Sequence, residues 1–217
     1  MKHTIKEYWR EHNEILAIYI TGFFLFAGVI QYWVGLTYVL QLTPLVIGIL
    51  AAITIMYWKS PADRKFWLVV TALLIGMLAE IIGVQTGIIF GEYTYGSVLG
   101  LKIFGVPILI GVTWALVTIS AWQIVSYSPF GKIANIILAS CIVVIFDLVL
   151  EQYATAFGLW SWQDGVIPLK NYVTWFAVSG VLFSLYSFFS KQEKPSVYGA
   201  AALPAMTIFF WLMLFVR

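Results

Sequence analysis

Charge is scarce in this chain: Asp, Glu, Lys and Arg make up 10% of its 217 residues, against about 25% in a soluble domain. With 62% of residues hydrophobic, an ordinary water-soluble globule is excluded. Histidine is nearly missing as well. His3 and His12 both precede the first apolar run, which excludes a His-rich di-iron site of the desaturase or hydroxylase kind and a haem ligand pair within the apolar runs. The single cysteine, Cys141, excludes an internal disulfide and a Cys-rich metal or iron–sulfur site. Set in an apolar run, it reads as a buried spectator thiol. No Gly-rich phosphate loop is present. The twelve Lys and Arg are scattered and the net charge is +2, so nucleic acid is not an expected partner.

What is present is a series of long apolar runs. A bilayer core about 30 Å thick needs roughly 20 apolar residues per helix. Runs bounded by polar or Gly/Pro punctuation place seven spans near Ile15–Tyr32, Leu40–Trp58, Phe66–Ile89, Ile103–Val125, Ile133–Leu150, Tyr172–Phe189 and Tyr198–Val216. Helices are the default because lipid offers no partner to open backbone groups. The expected fold class is therefore all-α, a polytopic bundle forming one membrane-embedded domain over residues 1–217. Residues 1–14 form a polar cytoplasmic flank, and the first run is read as a retained span because no small-residue cleavage site follows it.

Lys2, Lys6, Arg10, Lys59, Arg64, Lys65, Lys132, Lys191 and Lys194 fall in flanks on one side, and only Lys102, Lys170 and Arg217 on the other. This asymmetry predicts a cytoplasmic amino terminus and an external carboxyl terminus in the cell (inner) membrane. The two longest loops, Phe90–Lys102 and Glu151–Asn171, then share the outer side.

Two acids lie where a membrane disfavours them. Glu80 is about fourteen residues beyond Phe66, roughly 21 Å along its helix, and Asp147 is about as far beyond Ile133. The third and fifth spans run in the same direction, so the two carboxyls reach the same depth. Glu151 shares a face with Asp147 at i, i+4, and Glu92 follows the exit of the third span; four acidic groups are expected to converge on one end. An intramembrane Asp costs about 2.5–3.5 kcal/mol on insertion scales. With no Lys or Arg inside the spans, desolvation favours the neutral acids. Neutral hydrogen-bonding struts are the plainer alternative to chemistry. Gly76, Glu80, Gly83 and Gly87 share one helical face, where small residues admit a close neighbour and turn Glu80 inward.

Among the aromatics, Tyr32, Trp33, Trp58 and Trp122 fit an interfacial belt. Trp114, near the middle of the fourth span, does not. Tyr93, Tyr95, Trp160, Trp162 and Trp175 lie in or beneath the acidic loops, where a ring face can stabilise a cation by about 2 kcal/mol when desolvated; belt and pocket readings are both open for them.

Asp147-Leu-Val-Leu-Glu151 superficially resembles the Asp-rich Mg²⁺ motifs of membrane prenyltransferases, but it is a single copy without the Lys and Arg a diphosphate needs. A closer likeness covers roughly residues 76–180. Glu80-Ile-Ile-Gly-Val-Gln-Thr-Gly87, Phe90-Gly-Glu-Tyr-Thr-Tyr95, Phe104-Gly-Val-Pro107 with Trp114 beyond, Asp147-Leu-Val-Leu-Glu151, Trp160-Ser-Trp162 and Ile167-Pro-Leu-Lys-Asn171-Tyr-Val-Thr-Trp175-Phe resemble segments of the CruF-type carotenoid 1,2-hydratase family. The resemblance implies addition of water across the terminal double bond of an acyclic carotenoid end group. Such chemistry needs a protonated acid, a site tolerant of a tertiary carbocation, and a placed water with a base.

On that reading Glu80 or Asp147 donates the proton, and the other carboxyl or Glu151 orients water. Glu92, Tyr93, Tyr95, Trp114, Trp160, Trp162, Asn171 and Trp175 bind the substrate, with neither cofactor nor metal required. The carotenoid, about as long as the bilayer is thick, lies among the spans and membrane lipid. Two other functions share the acids: a carotenoid cyclase, whose site would exclude water, and a proton-coupled transporter, which would use them as a relay. Polar Gln85, Gln152 and Asn171 near the carboxyls favour hydration over cyclisation. No paired broken helices favour transport.

Overall fold

A computed structural model describes residues 5–189 and 195–217, with side chains from residue 12 onward. Lys2, His3, Lys191 and Lys194, and the side chains of Lys6 and Arg10, lie outside the described residues.

The chain is an all-α bundle. Among the described residues seven helices run α1 (Ile5–Trp33), α2 (Thr43–Tyr57), α3 (Ala62–Thr86), α4 (Ile108–Val125), α5 (Lys132–Ala156), α6 (Leu169–Phe189) and α7 (Val197–Phe215), with a 3-10 turn at Thr37–Leu42 leading into α2. All seven candidate spans are long and apolar enough to cross a bilayer, and outward-facing Phe23, Phe24, Leu78, Ile145 and Trp211 remain exposed for lipid to cover. The chain is a multi-pass membrane protein.

α4 sits at the centre, packed against α2, α3, α5, α6 and α7. Thirteen of its eighteen residues are buried, as expected of a helix apolar on every side. Gly76 and Gly83 make room around it. A Cβ on Gly76 would collide with the Trp114 side chain, and one on Gly83 with the Phe90 ring. The glycine face thus seats aromatic rings from α4 and from the loop after α3.

Several expectations change. α1 begins at Ile5, and Glu14, placed in the polar flank by the sequence, is fully buried within it. The fifth span runs on to Ala156, so Glu151 is helical rather than the first residue of a loop. The fourth begins only after a hairpin, in which β2 (Lys102–Ile103) pairs with β3 (Val106–Pro107) through Phe104 and Gly105, both with positive φ. Two successive positive-φ residues are what a tight hairpin turn requires, and the Gln85 amide donates to the Phe104 carbonyl at 2.9 Å. Trp58 is buried against Tyr186 rather than in a belt. Cys141 is exposed on the outer face of α5, not buried, because it sits a half-turn away from the Ala139–Val143 core stripe.

Candidate active site

The two loops that leave α3 and α5 meet at one end of the bundle and pair. β1 (Tyr93–Tyr95) runs antiparallel to β4 (Trp160–Trp162), with Tyr93 opposite Trp162 and Tyr95 opposite Trp160. Successive residues on a strand face opposite sides. Tyr93, Tyr95, Trp160 and Trp162 therefore turn inward and are buried, while Thr94 and Ser161 face outward and bond each other at 3.2 Å. Cross-strand ring contacts, 4.9 Å between the Tyr93 and Trp162 centroids and 5.6 Å between Tyr95 and Trp160, stiffen the ribbon.

Each strand supplies donors to one carboxyl, Glu80 on α3 or Glu151 on α5. The Tyr93 and Tyr95 hydroxyls donate to Glu80 Oε2 at 2.6 and 2.7 Å, and the Trp114 indole donates to Glu80 Oε1 at 3.1 Å. On the other side the Trp160 and Trp162 indoles both donate to Glu151 Oε2 at 2.9 Å. The Asn171 amide bridges Asp147 Oδ2 at 2.9 Å and Glu151 Oε1 at 3.3 Å. Three donors per glutamate satisfy oxygens that would otherwise be buried without partners, which lowers the cost of placing them in the bundle.

Every one of those donors is neutral. The nearby cations, Lys102 and Lys170, donate instead to the backbone carbonyls of Tyr95 and Gly87 at 2.6 and 2.8 Å. Burial first, and then the field of Glu80, pushes the Tyr93 and Tyr95 hydroxyls well above the ordinary phenol range. Both remain protonated donors.

Between the carboxyls lies a cavity of about 20 Å³, bordered by Glu80, Glu151, Asn171, Trp114, Trp160 and Trp175 among others. That volume suits about one water molecule. Trp175 stacks on Trp114 with centroids 4.1 Å apart and planes 14° from parallel, and the Thr174 hydroxyl donates to the Ile89 carbonyl, tying α6 to the loop after α3.

Of the acids and rings singled out in the sequence, Glu80, Glu151, Tyr93, Tyr95, Trp114, Trp160, Trp162, Asn171 and Trp175 border this one cavity. Asp147 does not: it is fully buried behind Asn171, with Oδ1 lacking a hydrogen-bond partner. All four acids lie at this end, but only Glu80, Asp147 and Glu151 are buried there. Glu92 is exposed, because the strand alternation that turns Tyr93 inward turns it outward, over Gly87. Gln85 and Gln152 are exposed too, so of the three polar residues expected beside the carboxyls only Asn171 is there. The period-two patterns Tyr-Thr-Tyr and Trp-Ser-Trp were the available signal for the ribbon.

Residues 40–217 match the family model described as carotenoid biosynthesis protein. The chain belongs to that family. The match takes in every residue that borders the cavity and leaves α1 outside it. A curated relative is a bisanhydrobacterioruberin hydratase from Haloarcula japonica, 31% identical over 161 residues, covering 70% of this chain and 52% of that protein. The chain thus spans about half the length of the relative it matches. No solved structure matches this member of the carotenoid biosynthesis family.

Proposed function

We propose that this protein is a carotenoid hydratase, a cofactor-independent hydro-lyase that adds water to the terminal (1,2) double bond of an acyclic carotenoid end group. The observation that carries the reading is the water-sized cavity bordered by two carboxyls, Glu80 and Glu151, each held by neutral donors. The relative's name, a hydratase of a carotenoid, points the same way.

In the proposed reaction one carboxyl, as the neutral acid, gives its proton to C2 of the alkene, leaving a tertiary cation at C1. Water attacks C1 and the new C–O bond forms as the other carboxylate takes the water's proton. The sum is addition of H₂O; exchange with solvent returns the proton to the first carboxyl. In this reading the Trp114–Trp175 pair, stacked at the cavity wall, stabilises the cation. Proton and water supply every atom added, so the step calls for no redox cofactor or metal. Asp147 acts at one remove, orienting the Asn171 amide that bonds Glu151.

Membranes containing the protein, given an acyclic carotene in ¹⁸O-labelled water, are expected to yield a tertiary alcohol heavier by one labelled water, formed equally well without oxygen. An isomer of unchanged mass would indicate a cyclase, an unaltered carotene would fit a transporter, and unlabelled or oxygen-dependent product would end the protonation mechanism. By the Lys and Arg asymmetry the ribbon end faces outside the cell membrane. Reporter fusions after Lys65 and Lys132 are then cytoplasmic, and a fusion between residues 96 and 101 is external; the reverse pattern would invert the proposed topology.

A further inference from the structure

The cavity beside the carboxyls is one end of a longer apolar path. Ile110, Thr113, Leu150 and Trp160 border it and also border a second cavity of about 20 Å³. The second shares Thr43, Ile47, Met206 and Phe210 with a third, far larger one of about 560 Å³. Three cavities therefore stand in a row, each joined to the next through common side chains.

The large cavity lies between α1 and α2, backed by α7. It exists because α1 packs chiefly along α7, leaving a gap on the α2 side. It follows α1 from Ile20 to Gln31, roughly 16 Å at about 1.5 Å per residue. Gly28 keeps it wide: a Cβ there would meet only Phe209 and Val39, at 3.5 and 3.8 Å. Phe24, Leu45 and Ile49 at its mouth are exposed, so it opens toward lipid. Its volume falls within the range of about 300–1,000 Å³ for small-molecule sites.

We propose that this groove holds the linear polyene tail of the substrate whose end group meets Glu80 and Glu151; the assignment rests on the hydratase reading. Continuity favours this occupant over a phospholipid. A tail lying in the groove points its end group through the Ile47–Leu150 throat at the carboxyls, whereas no Lys or Arg lines the groove to hold a phosphate. The throat has only water-sized space, so side chains such as Leu150 must turn to admit the end group. The path thus selects a slender hydrocarbon that enters end first, with its length left in the groove and in the adjoining lipid.

The test uses the full chain in detergent, titrated with lycopene as the acyclic polyene probe, and reads the visible circular dichroism induced in bound pigment. Gly28→Trp and Val46→Trp fill the groove from two different helices, so failure of one to fold leaves the other. Ile145→Trp adds the same bulk on the lipid-facing side of α5, away from the groove. The unchanged protein is expected to bind one lycopene saturably. Both groove variants should weaken binding by about tenfold or more, equivalent to about 1.4 kcal/mol, and Ile145→Trp should not.

Groove variants that bind like the unchanged protein overturn the assignment. So does an equal loss in Ile145→Trp, or a groove found by mass spectrometry to keep phospholipid that lycopene does not displace. Turnover assayed in parallel separates the two readings. Pigment blocked by Gly28→Trp without any hydrated product keeps the groove and sinks the hydratase; hydrated product with unaffected groove variants does the opposite.

Discussion

At the end of the bundle away from the ribbon, Glu14 is fully buried with Lys59 Nζ 3.4 Å from one oxygen, while the Ser196 hydroxyl and Tyr198 amide donate to the other at 2.9 and 3.2 Å. At the ribbon end Glu80 and Glu151 are buried almost as deeply, yet hydroxyls, indoles and an amide are their partners. The first arrangement ties α1 to the start of α7 and to the α2–α3 connection. The Lys59 charge and the two donors hold the Glu14 carboxyl, which serves as a pin. Neutral donors hold a carboxyl in place without fixing its charge. Together with space for a water, that is what acid–base chemistry requires. On the hydratase reading, the charge of its partners, and not depth in the membrane, separates a structural acid from a reactive one.

The comparison breaks most visibly at the two cavity glutamates. Glu80→Gln and Glu151→Gln keep size and hydrogen-bonding capacity but remove the titratable proton. Each is expected to lower hydration by about 10²-fold or more at unchanged protein level. Normal pigment conversion by both would return them to the status of struts.

Glu14→Ala is expected to do the converse, costing stability and sparing turnover per folded molecule. Breaking a buried pair costs about 3–5 kcal/mol, and the lower end applies because Lys59 is 20% exposed. Thermal unfolding in detergent reads the loss, and Lys59→Met added to Glu14→Ala should recover part of it. Loss of turnover in a stably folded Glu14 variant would contradict the division between the two ends.

A smaller effect is expected at Asp147, which reaches the cavity only through Asn171. Asp147→Asn should lower kcat by about tenfold, near 1.4 kcal/mol, and leave KM unchanged. A rise in KM alone would assign the residue to substrate binding. Smallest of all is the outward face of the ribbon. Thr94→Ala should change stability by no more than about 0.5 kcal/mol with activity intact, whereas Trp162→Phe, one residue pair away and inward, removes a donor from Glu151 and should reduce turnover measurably. Equal effects of the two would mean that the ribbon acts as a lid without regard to its donors.

Much of the site was legible because helices impose a simple ruler. Glu80 and Asp147 could be put at one depth from residue counts alone, Glu151 onto the Asp147 face from its spacing of four, and Glu80 inward from Gly76 and Gly83 beside it. Loops carry no such ruler. Glu92, Gln85 and Gln152 were grouped with the carboxyls by nearness in sequence, but strand alternation and helix facing turn all three outward. Composition presents the tryptophans and tyrosines as ring faces, whereas their N–H and O–H edges are what reach the glutamates. An edge-on contact depends on the angle at which two distant segments approach, which composition does not contain.

The sequence by itself determined seven apolar helices, the end of the bundle where the acids gather, and the close packing of the third span, since length, period and residue size are local properties that the bilayer reads directly. Tertiary structure alone decided that Tyr93–Tyr95 pairs with Trp160–Trp162, that the ribbon divides its donors between Glu80 and Glu151, that Asp147 stands behind Asn171, and that α1 leans on α7 to leave a groove beside α2. Each of these is a contact between residues far apart in the chain, settled by how rings and helices fill shared space.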